Sequence, residues 1–183
     1  FSAELIRPCG LDDLTAGLLR EIGAGFDGSG VRPGLIVASC WGEAPTKAEE
    51  RAILAAARAA RRSGLPVVAH GMEPLELLLS HGVPPHRLCG VAADVPAQRK
   101  IAETGAYVSV REAEHVLALL EAGHGERVLL SSGVSRRDHL AGYGGHGYGR
   151  LLDTLIPALG DAGVGEGTIR LITRENPVRW LAG

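Results

Sequence analysis

From Gly34 onward, short apolar runs alternate with longer stretches whose apolar residues recur every three to four positions. LIVAS is followed by TKAEERAILAAARAARRSG, PVVAH by MEPLELLLSHG, RLCGVAA by VPAQRKIAETG, and AYVSV by REAEHVLALLEAGHG. RVLLSS, a glycine-rich loop and YGRLLDTLIPALGDAG complete the alternation. Continuous Val, Ile, Leu and Ala runs read as strands covered on both faces, as in a parallel sheet wrapped by helices. The pattern therefore predicts an α/β fold with about five parallel strands and covering helices.

Local signals place several boundaries. Upstream, Leu11 to Phe26 sets Leu14, Leu18, Ile22 and Phe26 at helical spacing, with Asp12 or Asp13 as the cap, and DGSG ends the helix. Thr46 with Glu49 has the spacing of a capping box, and Gly64 that of a helix C-terminal stop. A tail helix is expected from about Glu166 to Thr173, with Pro177 starting a last short helix that Trp180 docks. No low-complexity stretch or linker divides the chain, so a single domain over residues 1–183 is expected. Five strands fall short of the eight of a closed barrel, which leaves an open sheet or part of a barrel.

Composition narrows the partners. A formal net charge of -2 gives no electrostatic footprint for nucleic acid or an anionic membrane, and no apolar run approaches the ~20 residues of a membrane span. Cys9, Cys40 and Cys89 are odd in number and lack metal-finger spacing, which points to a reducing compartment and a cytoplasmic location. Phe1 begins no signal peptide, and a start at Phe rather than Met reads as a processed, trimmed or incompletely recorded chain.

Ligands of parallel sheets bind at the carboxyl ends of the strands. Those ends carry Ser39-Cys40-Trp41, His70, Ala92-Ala93-Asp94, Ser109-Val110 and Ser131-Ser132-Gly133. His70 is placed for a metal ligand or general base, or equally for a histidine satisfied by hydrogen bonds at a strand end. Zinc needs three or four converging ligands, and neither His-x-His nor His-x-x-x-His occurs in the chain. Cys40, His70 and Asp94 form a candidate catalytic set of thiolate, base and orienting acid, against the alternative of an inert thiol; Cys89 reads as core. Trp41, Arg136, Tyr143 and His146 are candidate substrate-binding residues around the same mouth. In GYGGHGYG the glycines permit close backbone approach and positive φ, Tyr143 and Tyr148 are expected to pack the loop against the rim, and His146 to bind a ligand or cap the next helix.

Several segments resemble the phosphotriesterase family of the amidohydrolase superfamily. They are LREIGAGFDGSGVRPGLI, AEERAILAAARAARRSGLPVVAHG, GAYV, EAGHGERVLLS, HLAGYGGHGYGRLLDTLIPAL and ENPVRWLAG, in family order and over nearly the whole chain. The resemblance implies the C-terminal portion, about the last two thirds, of a (β/α)₈ TIM barrel, whether partial or composite. It also implies two zinc-like metals that activate a water to hydrolyse phosphotriesters, lactones or related esters. Family ligands are a His-x-His pair on the first strand, Lys or Glu on the fourth, His on the fifth and sixth, and Asp on the eighth. Carried onto this chain, the first-strand pair has no counterpart, the fourth-strand group falls at Val37 or Ala38, and the fifth-strand His matches His70. The sixth-strand His falls at Ala92 and the eighth-strand Asp at Gly133, while the segment between Val110 and Arg111 is shorter than the family's loop.

Only His70 keeps a ligand position. The expectation is a degenerate, non-catalytic or partner-dependent subunit with a retained barrel-mouth binding site for a small molecule. No cofactor is expected for the isolated chain, and zinc or another divalent metal if a composite site forms. The alternative is a metal-dependent hydrolase of lactone, ester or phosphoester bonds whose missing ligands come from a partner chain or a preceding segment. Exposed sheet edges imply a companion barrel chain or a homo-oligomer.

Overall fold

The computed structural model describes residues 9–40, 42 and 44–182 of the 183-residue chain. Its centre is one sheet of five strands: β1 Ile36–Ser39, β2 Val67–His70, β3 Leu88–Val91, β4 Tyr107–Val110 and β5 Val128–Leu130. All four pairings are parallel and the strands lie in chain order. Helices α1 Leu11–Ala24, α2 Lys47–Ser63, α3 Met72–Ser80, α4 Val95–Glu103 and α5 Ala113–Glu121 precede or connect them. After β5 come α6 Ile156–Asp161, α7 Glu166–Arg170 and α8 Asn176–Ala182.

Alternate side chains of each strand point to opposite faces. One face carries Ile36, Ala38, Val67, Ala69, Leu88 and Val108, packed with helix residues such as Ile53, Leu75, Ile101 and Leu119 in the main core. Burial of this apolar surface is the main force holding sheet and helices together. Alanines 55, 56, 57, 59 and 60 make α2 thin where it is buried. Gly90 does the same for α4, since a Cβ there would lie 2.8 Å from the side chain of Ile101.

The second face carries Val37, Val68, Cys89 and Tyr107 in one register row. Ser39, His70, Val91, Ser109 and Leu129 form the next row toward the carboxyl ends. Trp180 of α8 packs against Cys89, Tyr107 and Leu129, closing this face where the strands begin. Its indole Nε1–H donates to the Arg87 carbonyl at 3.2 Å, and the Arg87 guanidinium donates back to the Trp180 carbonyl at 3.1 Å and to that of Gly64. The opposite end of the same face is the mouth.

Several expected boundaries hold and others shift. The Thr46–Glu49 capping box is present, with Glu49 Oε2 accepting the Thr46 N–H at 2.8 Å, and Gly64 ends α2 at φ 73°. At α1 the cap is Gly10 rather than an aspartate; Asp13 instead accepts the Gly10 N–H at 3.2 Å. That helix stops at Ala24 because Gly25 turns the chain at φ 86°, which leaves Phe26 in a tight turn and 48% exposed. The tail is not one helix from Glu166 to Thr173: α7 ends at Arg170 and a wider π turn, Leu171–Glu175, leads into α8. A similar π turn, Leu151–Leu155, precedes α6. In both cases a proline, Pro177 or Pro157, follows two residues later. Its missing N–H and its ring are incompatible with a regular helical bond to the carbonyl four residues back, and the wider turn relieves the clash.

Among the described residues β1 pairs only with β2, and Val37 is 57% exposed while its row neighbours Cys89 and Tyr107 are buried. Beyond β1, α1 rests on α2 and leaves a cavity of about 290 Å³ lined by Leu14, Leu18, Val37, Ile53 and Ala56.

Candidate functional site

The row Ser39, His70, Val91, Ser109 and Leu129 sets the chemistry of the mouth, because parallel register fixes these side chains on one face. It offers one exposed imidazole, two hydroxyls and two alkyl groups. Beyond it lie Ala92 on the β3 side and Ser131, Ser132 and Gly133 on the β5 side.

The strand pairing makes Cys40 and His70 neighbours, since Ser39 is in register with His70 and Cys40 follows it. The thiol environment, however, opposes nucleophilicity. Burial, then the negative charges of Glu49 and Glu73, push the Cys40 thiol above its ordinary value, and its Sγ–H donates to the Gly42 carbonyl at 3.4 Å. Asp94 is two strands from β1, about 10 Å at ordinary strand spacing. Its carboxylate caps α4 by accepting the Ala97 N–H at 2.9 Å. These three residues are thus not joined as thiolate, base and orienting acid: the acid caps α4, and the surroundings of the thiol disfavour the thiolate. Alkylation of Cys40, followed by peptide mapping, is expected to accelerate only above the ordinary cysteine range near pH 8.5. A thiolate already reactive at neutral pH would restore the dyad. Cys89 is buried as expected, and burial pushes its thiol up to about 12. Trp41 lies outside the described residues.

The loop after β5 extends the sheet through a bond from Ser131 N–H to the Val110 carbonyl at 2.8 Å. It then turns at Gly133 (φ 71°), whose N–H donates to Ser131 Oγ at 3.2 Å. Arg136 pairs with Asp138 at 2.9 Å, so that carboxylate is spent within the turn. Tyr143 and Tyr148 are 56% and 70% exposed, so they do not pack the loop against the rim. Tyr143 instead carries the Arg137 guanidinium 4.2 Å above its ring and accepts from it at 2.7 Å. His146 fastens the loop: its Nε2 lies 2.9 Å from the Ser132 carbonyl and donates to it, and the next helical turn carries no side-chain cap. His139 stacks at 5.5 Å from that ring. Gly145 allows the close approach expected of the glycines, because a Cβ there would fall on the carbonyls of Asp138 and His139.

Two features had no sequence signal. Arg150 donates to Glu112 at 2.8 Å and to the Arg111 carbonyl at 2.9 Å, tying the loop's far end to the start of α5 across 38 and 39 residues. Arg111 itself lies over Gly133, where an added Cβ would come within 3.1 Å of the Arg111 Cδ. Spacing patterns report local periodicity, and neither contact is local.

Among the described residues the mouth assembles no donor set for the metals that the family resemblance implies. Among the described residues no three His, Cys, Asp or Glu side chains come together as a cation would require. Among the same residues no helix is long and apolar enough to cross a membrane.

A strand-ordered parallel sheet with covering helices and its mouth at the strand ends is the architecture of a (β/α) barrel segment, and comparison with known proteins agrees. The Phosphotriesterase family model matches residues 5–181. The chain is 32% identical to the phosphotriesterase homology protein of Escherichia coli over 204 residues, covering 99% of this chain and 70% of that protein. It is 24% identical to the N-acetyltaurine hydrolase of Bos taurus, covering 96% of this chain and 60% of the relative. The crystal structure of the E. coli protein, complexed with phosphate in its active site, superposes with a TM-score of 0.89 at 30% identity over 97% of this chain and 69% of that one. A lactonase from Listeria monocytogenes superposes at 0.87 with 23% identity, a likeness of fold. This chain belongs to the phosphotriesterase family. It spans roughly 60 to 70% of the length of these relatives.

Proposed function

We propose that this chain is a degenerate member of this family of phosphotriesterase-like hydrolases, non-catalytic by itself, with its barrel mouth kept as a binding surface. One observation carries the reading: the register row that faces the mouth holds one ligand-type side chain, His70, among hydroxyl and alkyl groups. Val37 or Ala38, Ala92 and Gly133 stand where the resemblance puts the fourth-strand bridge, the sixth-strand His and the eighth-strand Asp. Alkyl groups and hydrogen cannot bind a cation or take a proton from water.

Within this reading each retained group has a task. His146 and Gly145 hold the loop close to the end of β5, while Arg136, Tyr143 and His146 provide polar and aromatic contacts for a ligand above the strand ends. The edge of β1, unpaired among the described residues, and the apolar cavity under α1 support an association in which a companion barrel segment, from another chain or a longer polypeptide, adds a parallel strand beside Val37.

Assay of the chain alone, with zinc or manganese added, against a phosphotriester, a lactone and an N-acyl amide is expected to give no turnover above buffer. Turnover that disappears in His70→Ala would overturn the reading. The second reading is a composite hydrolase, favoured by the exposure of His70 one strand from the open edge. It requires His70-dependent activity on addition of a complementary barrel segment, zinc or another divalent metal then being held jointly.

A further inference from the structure

We infer that the mouth above β4 and β5 is a metal-free anion site built on Arg111, which takes the oxoanion group, phosphate or sulfate in type, of a small molecule. The inference rests on the mouth being a retained binding surface and names the ligand chemistry it selects.

The local charge has the sign opposite to that of a metal site. Residues 111–112 and 131–150 hold four arginines, Arg111, Arg136, Arg137 and Arg150, against two carboxylates, Glu112 and Asp138, in a chain whose formal charge is -2. A site for divalent cations concentrates negative charge; this one concentrates positive charge. The change centres on one contact. With only two residues between β4 and α5, Arg111 emerges directly at the mouth with no intervening loop to cover it. Its stem crosses the α-carbon of Gly133, where a side chain would meet Arg111 Cδ at 3.1 Å and Cβ at 3.8 Å. The glycine's positive φ of 71° is a second condition that disfavours other residues there. Gly133 and Arg111 thus fit each other, and a guanidinium stem lies on the position that the resemblance assigns to an acid.

Among these four, Arg111 is also the guanidinium least satisfied by its neighbours. Arg136 is paired with Asp138 at 2.9 Å, and Arg137 is laid on Tyr143. Glu112 gives one oxygen to the better buried Arg150 at 2.8 Å, and only its other oxygen lies near Arg111 Nε, at 3.6 Å. A planar fork of N–H donors with little competition matches a tetrahedral oxoanion. Beside it, Ser131 accepts the Gly133 N–H through its oxygen and so keeps its own hydroxyl proton to donate. Because the Arg111 side chain is 61% exposed, the affinity for a bare inorganic ion is modest, on the order of millimolar.

The test is a ¹⁵N–¹H NMR titration with inorganic phosphate, then sulfate, at ionic strength held constant with chloride. Saturable shifts are expected at the Arg111 side-chain N–H and the Gly133 and Ser131 amides. Arg111→Ala is expected to weaken binding at least about tenfold and Arg111→Lys less, as loss of a bidentate fork predicts. Gly133→Asp, which sets a carboxylate beside the guanidinium, is expected to abolish binding, and Arg174→Ala in the exposed tail to leave it intact. Saturation unchanged in Arg111→Ala, full affinity in Gly133→Asp, or unsaturable shifts spread over many arginines would each overturn the site. Metal content measured on the same samples separates the failures. A His70-dependent metal with Arg111-dependent phosphate binding would remove only the metal-free character; a metal-free chain without Arg111-dependent binding removes the anion site alone.

Discussion

Trp180→Ala is expected to lower the free energy of unfolding by about 3–5 kcal/mol, the usual cost of deleting a large buried aromatic. Trp180 is 8% exposed and packs on the second face of the sheet against Cys89, Tyr107 and Leu129. Its removal opens a void under three strands and leaves the Arg87 carbonyl without its indole donor. Denaturant unfolding followed by circular dichroism reads the effect as a drop in midpoint at unchanged slope. Trp180→Phe, which keeps most of the burial and loses only the hydrogen bond, is expected to cost about 1–2 kcal/mol. A Trp180→Ala variant within experimental error of the parent would show that α8 is peripheral to the sheet.

Asn176→Ala is expected to cost about 2–4 kcal/mol by a different route. The side chain is fully buried, and its Nδ2 donates to the Gly125 and Val128 carbonyls at 2.8 Å each, pinning the start of α8 to the start of β5. Removing it takes the amide donor from the buried Val128 carbonyl and one of two donors from the Gly125 carbonyl, which keeps the Val128 N–H. Because Asn176 and Trp180 lie on one short helix that docks as a unit, the double variant is expected to lose less than the sum of the two single losses. Strict additivity in a double-mutant cycle would argue that the two ends of α8 dock independently.

The five strands were legible because residues covered on both faces leave an uninterrupted apolar run, as in LIVAS and PVVAH. The mouth was legible for the same reason, since parallel strands deliver their last residues to one end, and His70 ends its strand beside Ser39 as expected. What failed depends on contacts or on geometry that periodicity does not carry. Phe26 continues the helical spacing of α1, yet Gly25 turns the chain before it. The tail pattern runs on past Arg170, yet Pro177 imposes a wider turn. Tyr143 and Tyr148 have the composition of rim-packing residues, while the loop is held by one histidine–carbonyl bond and a backbone approach at Gly145. Gly133 was visible as a missing acid. That Arg111 lies across it was not, because the two positions meet only through the pairing of β4 with β5.

Metal content of the purified chain tests the central claim most directly. After equilibration with zinc or manganese and removal of free ions, elemental analysis is expected to find well below one metal per chain, with no change in His70→Ala, because one imidazole among hydroxyl and alkyl groups cannot retain a divalent ion. One or more metals per chain, lost in His70→Ala, would contradict a mouth stripped of its ligands.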